Sequence, residues 1–282
     1  MPNVLVRNNY GKSHVRLMKL VKHAERHEVR ELTVDTQLEG DYGPAHVLGD
    51  NTAVLPTDTM KNTVYVLAKL HDLDEPEDFA RRLAEHFLKA TAAATHATVA
   101  VTEHMWERLP VAGWPHPNTF TRGAAEKRVA TVRATRDGVV VESGWRDLLV
   151  LKTAQSAFSG FQRDRYTTLR ETEDRLLATT ISASWRYADA FEASYASIRT
   201  RVRQALLEAF AEHESRSVQH TLYAMAEAAL ERAPEVVEVS LSLPNKHHLL
   251  ADLSPFGFRN DNEIFVPTDE PYGLIEATVR RG

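Results

Sequence analysis

Asn245 and His247 stand two residues apart, just after Pro244. In an extended segment these two project to one face, and Lys246 and His248 to the other. The spacing would hold an amide and an imidazole over one spot. A lone imidazole is more often structural, which is the plain alternative for His247. Gln219 follows Ser215, Ser217 and Val218. A serine at 215 or 217 can cap a helix whose first turn holds Gln219, and the N–H of Val218 then has no partner within the helix. The amide of Gln219 offers one acceptor and two donors, or is simply solvated. Arg175 carries a planar fork suited to two parallel hydrogen bonds with an anion, although Asp174 or Glu171 could occupy it as a surface ion pair. Lys12 follows Gly11. It acts as a base only where burial or a neighbouring charge lowers its pKa; otherwise it is a solvated residue at a turn. Thr57, beside Asp58, is a hydroxyl that could pass a proton or a plain strand-edge residue. Phe158, between Ala157 and Ser159, has the ordinary expectation of a core aromatic, as does Phe161.

Other chemistries are narrowed by what the chain lacks. It has no cysteine, which excludes disulfides and thiolate chemistry and makes the cytoplasm the expected location. Its thirteen histidines are scattered, so no dedicated metal site is expected. There is no GxGxxG, no GxxxxGK[ST] and no GxSxG, which weakens nucleotide-fold and hydrolase readings. A net charge of -5 gives no reason to expect nucleic-acid binding. No apolar run approaches the roughly 18–20 residues needed to cross a bilayer. The opening residues lack a basic region followed by an apolar core, so no signal peptide is expected.

The elements that must position these residues follow from hydrophobic periodicity. Residues 4–8 and 14–22 alternate in strand fashion. Residues 29–35 and 61–69 are rich in β-branched side chains and read as strands. A helix then carries Phe79, Leu83 and Phe87 on one stripe, with Pro76 in its first turn and Asp72 or Asp74 as cap. Residues 98–102 form the next strand. The second half repeats the plan. Strands over 129–135 and 139–142 flank Asp137-Gly138, a good two-residue hairpin turn, and further strands fall at 147–153 and 175–188. Helices follow near 191–213 and 217–232, then the strand 236–243 and the segment 247–253. Each half is thus strands, helix, strands. Hairpin connections favour antiparallel sheets with helices collected on one face, an α+β architecture duplicated in tandem. The expected units are 1–135 and 136–282.

Six segments spread across the chain resemble the urate oxidase family, in the family's order. They are Asn9-Tyr-Gly-Lys12; Thr57-Asp58 with Lys61-Asn-Thr-Val-Tyr65; Gly160-Phe-Gln-Arg-Asp-Arg-Tyr-Thr-Thr-Leu169; Thr172-Glu-Asp-Arg175; Ser242-Leu-Pro-Asn-Lys-His-His248; and Pro271-Tyr-Gly-Leu-Ile-Glu276. Pro56 and Ser159 depart from the residues the family often has there. The end, Val279-Arg-Arg-Gly282, does not resemble the Ser-Lys-Leu peroxisomal address of eukaryotic relatives.

The resemblance implies the tandem tunnelling fold, homotetramers that form a β-barrel tunnel, and active sites shared between subunits. It implies oxidation of urate by molecular oxygen, without metal or other cofactor, to 5-hydroxyisourate and hydrogen peroxide. It assigns Phe158 to stacking on the purine and Arg175 to clamping its charge. Gln219 and the Val218 amide go to its lactam edge, Asn245 to the oxygen side of the ring, and Lys12, Thr57 and His247 to a proton relay, with Thr57 and Asp58 at the substrate. One alternative is another tunnelling-fold enzyme acting on a pterin or purine. An anchoring Glu would suit the adjacent donors of such a ring, whereas position 219 holds Gln. A non-catalytic purine-binding protein is a second alternative, and it would not need the relay.

Overall fold

The computed structural model describes residues 3–189 and 191–282. It divides into two compact units, Met1–Gly144 and Trp145–Gly282. The first begins with β1 (Tyr10–Lys22) and β2 (His27–Gly40), an antiparallel pair. Then come α1 (Gly43–Val47), α2 (Thr57–Leu70), α3 (Pro76–Ala90), β3 (Ala94–His104), the hairpin β4 (Glu107–Val111) and β5 (Trp114–Thr121), and β6 (Lys127–Ala134). Strand order is β1-β2-β3-β6, antiparallel throughout. β7 (Val139–Lys152) runs across the division; the turn before it centres on Arg136-Asp137 rather than on the expected Asp137-Gly138, with the Thr135 N–H donating to the Gly138 carbonyl at 2.8 Å.

Alternation decides which side of this sheet is covered. Leu32, Val34, Thr36 and Leu38 of β2 are buried every second residue. The register sets Val34 against Val101 and Thr36 against Val99, and Val99 in turn against Val132. These residues therefore share a face. α3 packs on β3 and β6, with Phe79, Leu83 and Phe87 fully buried. Each such side chain contributes about 1.5–3 kcal/mol of burial.

The second unit holds β8 (Leu177–Tyr187), α4 (Tyr195–Glu212), α5 (Val218–Arg232), β9 (Val236–Leu250), a 3-10 turn at Ser254–Phe256 and β10 (Phe265–Arg280). β9 pairs antiparallel with β8 on one side and β10 on the other. Trp185, Val239, Leu241 and Leu243 are buried. α5 packs on β9 and β10, and α4 on α5. The apolar stripes Ile198, Val202, Leu206 and Leu222, Met225, Ala229 are all buried. The α+β class and the antiparallel pairing agree with the sequence reading.

Four further local expectations need correction. Residues 61–69 lie in α2, not in a strand. Thr63, Val64, Tyr65 and Val66 favour extended backbone locally, but Met60, Val64 and Ala68 recur every four residues and are the helix's buried stripe, so tertiary burial wins. Residues 4–8 are outside any strand, since β1 begins its pairing with β2 only at Tyr10. α3 starts after Glu75 with no side-chain cap; Asp74 instead meets Arg30 at 3.1 Å. The segment 247–253 is split: its first four residues end β9, and residues 251–253 leave the sheet.

Candidate active site

The candidate residues fall into two clusters, one in each unit. In the first, a β-bulge aims Lys12. Lys12 pairs with Thr36 and Val15 with Val34, so Ser13 and His14 together oppose Asp35 alone. His14 takes a left-handed φ of 58°, and its N–H donates to Asp35 Oδ1 at 2.8 Å. The extra residue puts Lys12 on the same face as Val15, although three positions separate them; a regular strand would oppose them. Gly11 is required here, since a Cβ would lie 1.8 Å from the carbonyl oxygen of Thr36. Thr36 Oγ1 accepts from the Lys12 N–H at 3.4 Å and donates to the Lys12 carbonyl at 3.3 Å.

Thr57 and Asp58 are the first two residues of α2, which packs against β1. The Leu55 N–H donates to Tyr10 Oη at 2.9 Å, tying the approach to α2 onto β1. Lys61 pairs with Asp58 and holds its carboxyl below the usual range; burial opposes this, and Asn62 and Lys12 add smaller help. Lys12 is therefore close enough for its charge to be felt at Asp58. The N–H groups of Thr57 and Asp58 have no acceptor among the described residues, as expected for a helix start.

The second cluster is built around Ser156, which is fully buried. Its carbonyl accepts from the Arg175 N–H at 2.8 Å, and on the other side Ser156 bridges to Ser215. Two residues on, Phe158 exchanges hydrogen bonds with Thr172 at 2.7 and 3.1 Å. The Phe158 loop is thus laced to the Arg175 segment and to the approach to α5. The Arg175 guanidinium carbon sits 5.2 Å from the Phe158 ring centroid. Its Nε is buried with no hydrogen-bond partner, and burial lowers its pKa from the usual guanidinium value. Arg175 makes no ion pair with Asp174 or Glu171 among the described residues. Glu171 meets Arg163, and Asp174 accepts from the Ser156 N–H. Phe161 is not a core residue. It stacks on Phe158 at 5.0 Å with rings 13° apart.

Ser217 caps α5, accepting from the His220 N–H at 3.1 Å. The N–H groups of Val218 and Gln219 have no acceptor among the described residues, and the Gln219 side chain is exposed. α5 has 15 residues, about 22 Å at 1.5 Å per residue. It packs on β9, the strand that carries Asn245 and His247. Asn245 and His247 both lie in β9. Asn245 faces Thr179 on β8 and Gly273 on β10, and His247 faces Thr268. In β10 the four residues 269–272 bulge opposite Lys246, and Asp269 takes the Lys246 ammonium at 2.7 Å. Lys246 therefore belongs to the opposite face, away from Asn245 and His247.

His23 and His27 have a ligand-like spacing but flank the β1–β2 turn. No group of three or more His, Cys, Asp or Glu among the described residues could hold a metal ion. Likewise, no helix among them is long and apolar enough to cross a membrane. The lacing by Ser156 and Ser215 had no signal in the sequence, because small buried serines carry neither periodicity nor charge.

This geometry can be set beside known proteins. The family model described as Uricase matches residues 8–133 and 141–276, once in each half. The chain is similar to the uricase of Arthrobacter globiformis, 44% identical over 99% of this chain and 90% of that protein. It is 38% identical to the uricases of Dictyostelium discoideum, over 98% and 97% of the two chains, and of Oryctolagus cuniculus, over 98% and 94%. The crystal structure of the Arthrobacter globiformis uricase superposes with a TM-score of 0.93, covering 100% of this chain and 96% of that one. The uricase structure from Bacillus fastidious, 22% identical, shares the fold with a TM-score of 0.81, over 97% and 93%.

Proposed function

The chain belongs to the uricase family, and from that membership we propose that it is a urate oxidase. The reaction is urate plus O2 plus water giving 5-hydroxyisourate plus hydrogen peroxide. The observation that carries this reading is Arg175. A half-buried guanidinium with an unpaired Nε, held over an aromatic ring, is a strong demand for a flat anion.

Phe158 gives the purine a surface to stack on, and Arg175 clamps its charge in parallel hydrogen bonds. The Gln219 amide and the Val218 N–H take the lactam edge. Lys12, Thr57 and His247 draw off and carry protons, with Thr57 and Asp58 at the substrate. Urate is thereby held as an electron-rich anion with oxygen near Asn245. Two electrons pass from the purine to O2, two protons complete hydrogen peroxide, and water adds at C5 of the oxidised ring. The chain's own contribution is orientation and electrostatics, and no metal or organic cofactor enters the scheme.

The two clusters belong to the two tandem units, read as 1–135 and 136–282. We assign them to sites shared between subunits of a homotetramer, whose sheets close a barrel. The outer edges of β1 and β10 support this reading: each strand has one ladder partner among the described residues, and each exposes apolar side chains, Met18 and Leu20 on β1, Tyr272 and Leu274 on β10. Unpaired apolar edges of this kind call for a partner. The cytoplasm is the proposed location.

Loss of urate's near-ultraviolet absorbance with equimolar oxygen uptake and peroxide release tests the function directly. Urate left unchanged by purified, oligomeric protein under air overturns it.

A further inference from the structure

His213 and His220 meet at the turn between α4 and α5. His213 Nε2 lies 3.2 Å from His220 Nδ1, with ring centroids 4.3 Å apart. His213 is the carboxyl cap of α4, and its carbonyl accepts from Lys152 Nζ, which also donates to Ala211 at 3.1 Å. His220 lies in the first turn of α5, directly after Gln219, and donates its N–H to the Ser217 cap. The segment between them is held by Ser215, whose carbonyl accepts from the Ala157 N–H at 2.7 Å next to Phe158. The ring–ring hydrogen bond therefore closes the turn that delivers Val218 and Gln219 to the purine.

We propose that His213 and His220 are positioning residues for the amino terminus of α5, effective only while they share at most one added proton. This rests on the urate oxidase reading. One ring nitrogen must donate and the other accept. Neutral rings meet that condition, and so does a pair carrying one extra proton. With both rings protonated, two N–H donors and two positive charges face each other at 3.2 Å, and the bond is lost.

The surroundings discourage the second proton. Lys152 from β7 and His220 from α5 add positive charge at His213, and Glu214 in the turn opposes them. Burial is the largest influence, and together they depress the His213 pKa. Because the His213 pKa is depressed, the pair keeps its bond above the ordinary imidazole value of about 6.5 and through the first added proton. The contribution is lost as pH falls further and His213 also takes its proton. His213 is half-buried and His220 exposed, which keeps the pair open to solvent protons.

The test compares the wild type with H213Q/H220N, in which the Gln and Asn amides keep a hydrogen bond at the Nε2 and Nδ1 positions but do not titrate. Binding of xanthine, a purine this chemistry does not consume, is measured between about pH 8 and about pH 5.5. The variant-to-wild-type ratio removes the ligand's own titration. At about pH 8 the two should bind alike. At about pH 5.5 the wild type should lose about fivefold or more affinity relative to the variant. Single H213A should weaken binding at every pH, and H213Q should restore it. Superimposable pH profiles, with urate turnover intact at about pH 8, overturn the positioning pair alone. Failure of the wild type to turn over urate or to bind xanthine at about pH 8 overturns the functional reading and the pair with it.

Discussion

The guanidinium of Arg175 rests 5.2 Å from the centre of the Phe158 ring, with its Nε buried and without a hydrogen-bond partner. A cation over an aromatic face gains from the ring quadrupole, but that leaves the fork's in-plane donors unsatisfied. The pair therefore presents a flat surface and a directional positive charge side by side, the requirement of a planar anion.

Removing that fork should cost binding. Arg175→Ala takes away charge-assisted hydrogen bonds worth roughly 2–4 kcal/mol, so affinity for urate analogues should fall about 30-fold or more. Arg175→Lys should recover only part of it, because an ammonium cannot reproduce two parallel bonds. Calorimetric titration with xanthine reads both. Wild-type affinity in Arg175→Ala would remove Arg175 from the site.

Gly11 is the strictest position near Lys12. An added methyl would meet the Thr36 carbonyl at 1.8 Å, and the backbone on both sides must move. Gly11→Ala should lower stability by about 1–3 kcal/mol. It should also reduce turnover more than purine binding, because it displaces the Lys12 bulge and leaves Arg175 untouched. Denaturant melts together with kcat and xanthine affinity check this. A stable variant with normal turnover would show that the bulge geometry is dispensable.

Cofactor independence is testable without reference to any site. Protein dialysed against a strong chelator should keep its full rate and show no flavin absorbance. Recovery of activity only on adding copper or iron would replace the scheme by a metal-dependent one.

Shared sites make a distinctive mixing prediction. Lys12 and Thr57 lie in one unit, and Phe158, Arg175, Gln219, Asn245 and His247 in the other. If each site draws the two sets from different subunits, inactive Lys12→Ala and inactive Arg175→Ala chains should regain activity when co-assembled, because some sites receive both intact sets. Mixed oligomers, verified by tagged subunits, that remain inactive would assign each site to one chain.

Much of this arrangement was legible in the residues, for identifiable reasons. The α3 and α5 stripes follow from periodicity, which acts locally. Ser217 as cap and the extended Asn245–His247 pair were readable because each depends on a few adjacent positions. The α2 helix was not, since its β-branched residues favour a strand and only the buried spacing of Met60, Val64 and Ala68 overrides them. The Lys12 bulge was equally hidden. It depends on His14 adopting a left-handed backbone against Asp35, a partner 21 residues away along the chain.

Lys12 separates binding from chemistry most cleanly. The proposed scheme assigns it to proton movement and gives stacking and the anion clamp to Phe158 and Arg175. Lys12→Met keeps the bulk of the stem and removes the amine. Xanthine affinity should change little, because none of the holding contacts is lost. The proton step should slow by about 10²–10⁴, the usual contribution of a positioned acid or base. Asp58 would lose one of its cationic neighbours, but Lys61 is the main cause of its low carboxyl pKa, so the start of α2 should stay charged and folded. His247→Ala should also slow turnover, by less if water fills the space and carries the proton. Steady-state kinetics of both variants from about pH 6 to about pH 10, with xanthine binding measured separately, decides the matter. A Lys12→Met enzyme that turns over urate near the wild-type rate but no longer binds xanthine would make Lys12 an electrostatic anchor and end the relay.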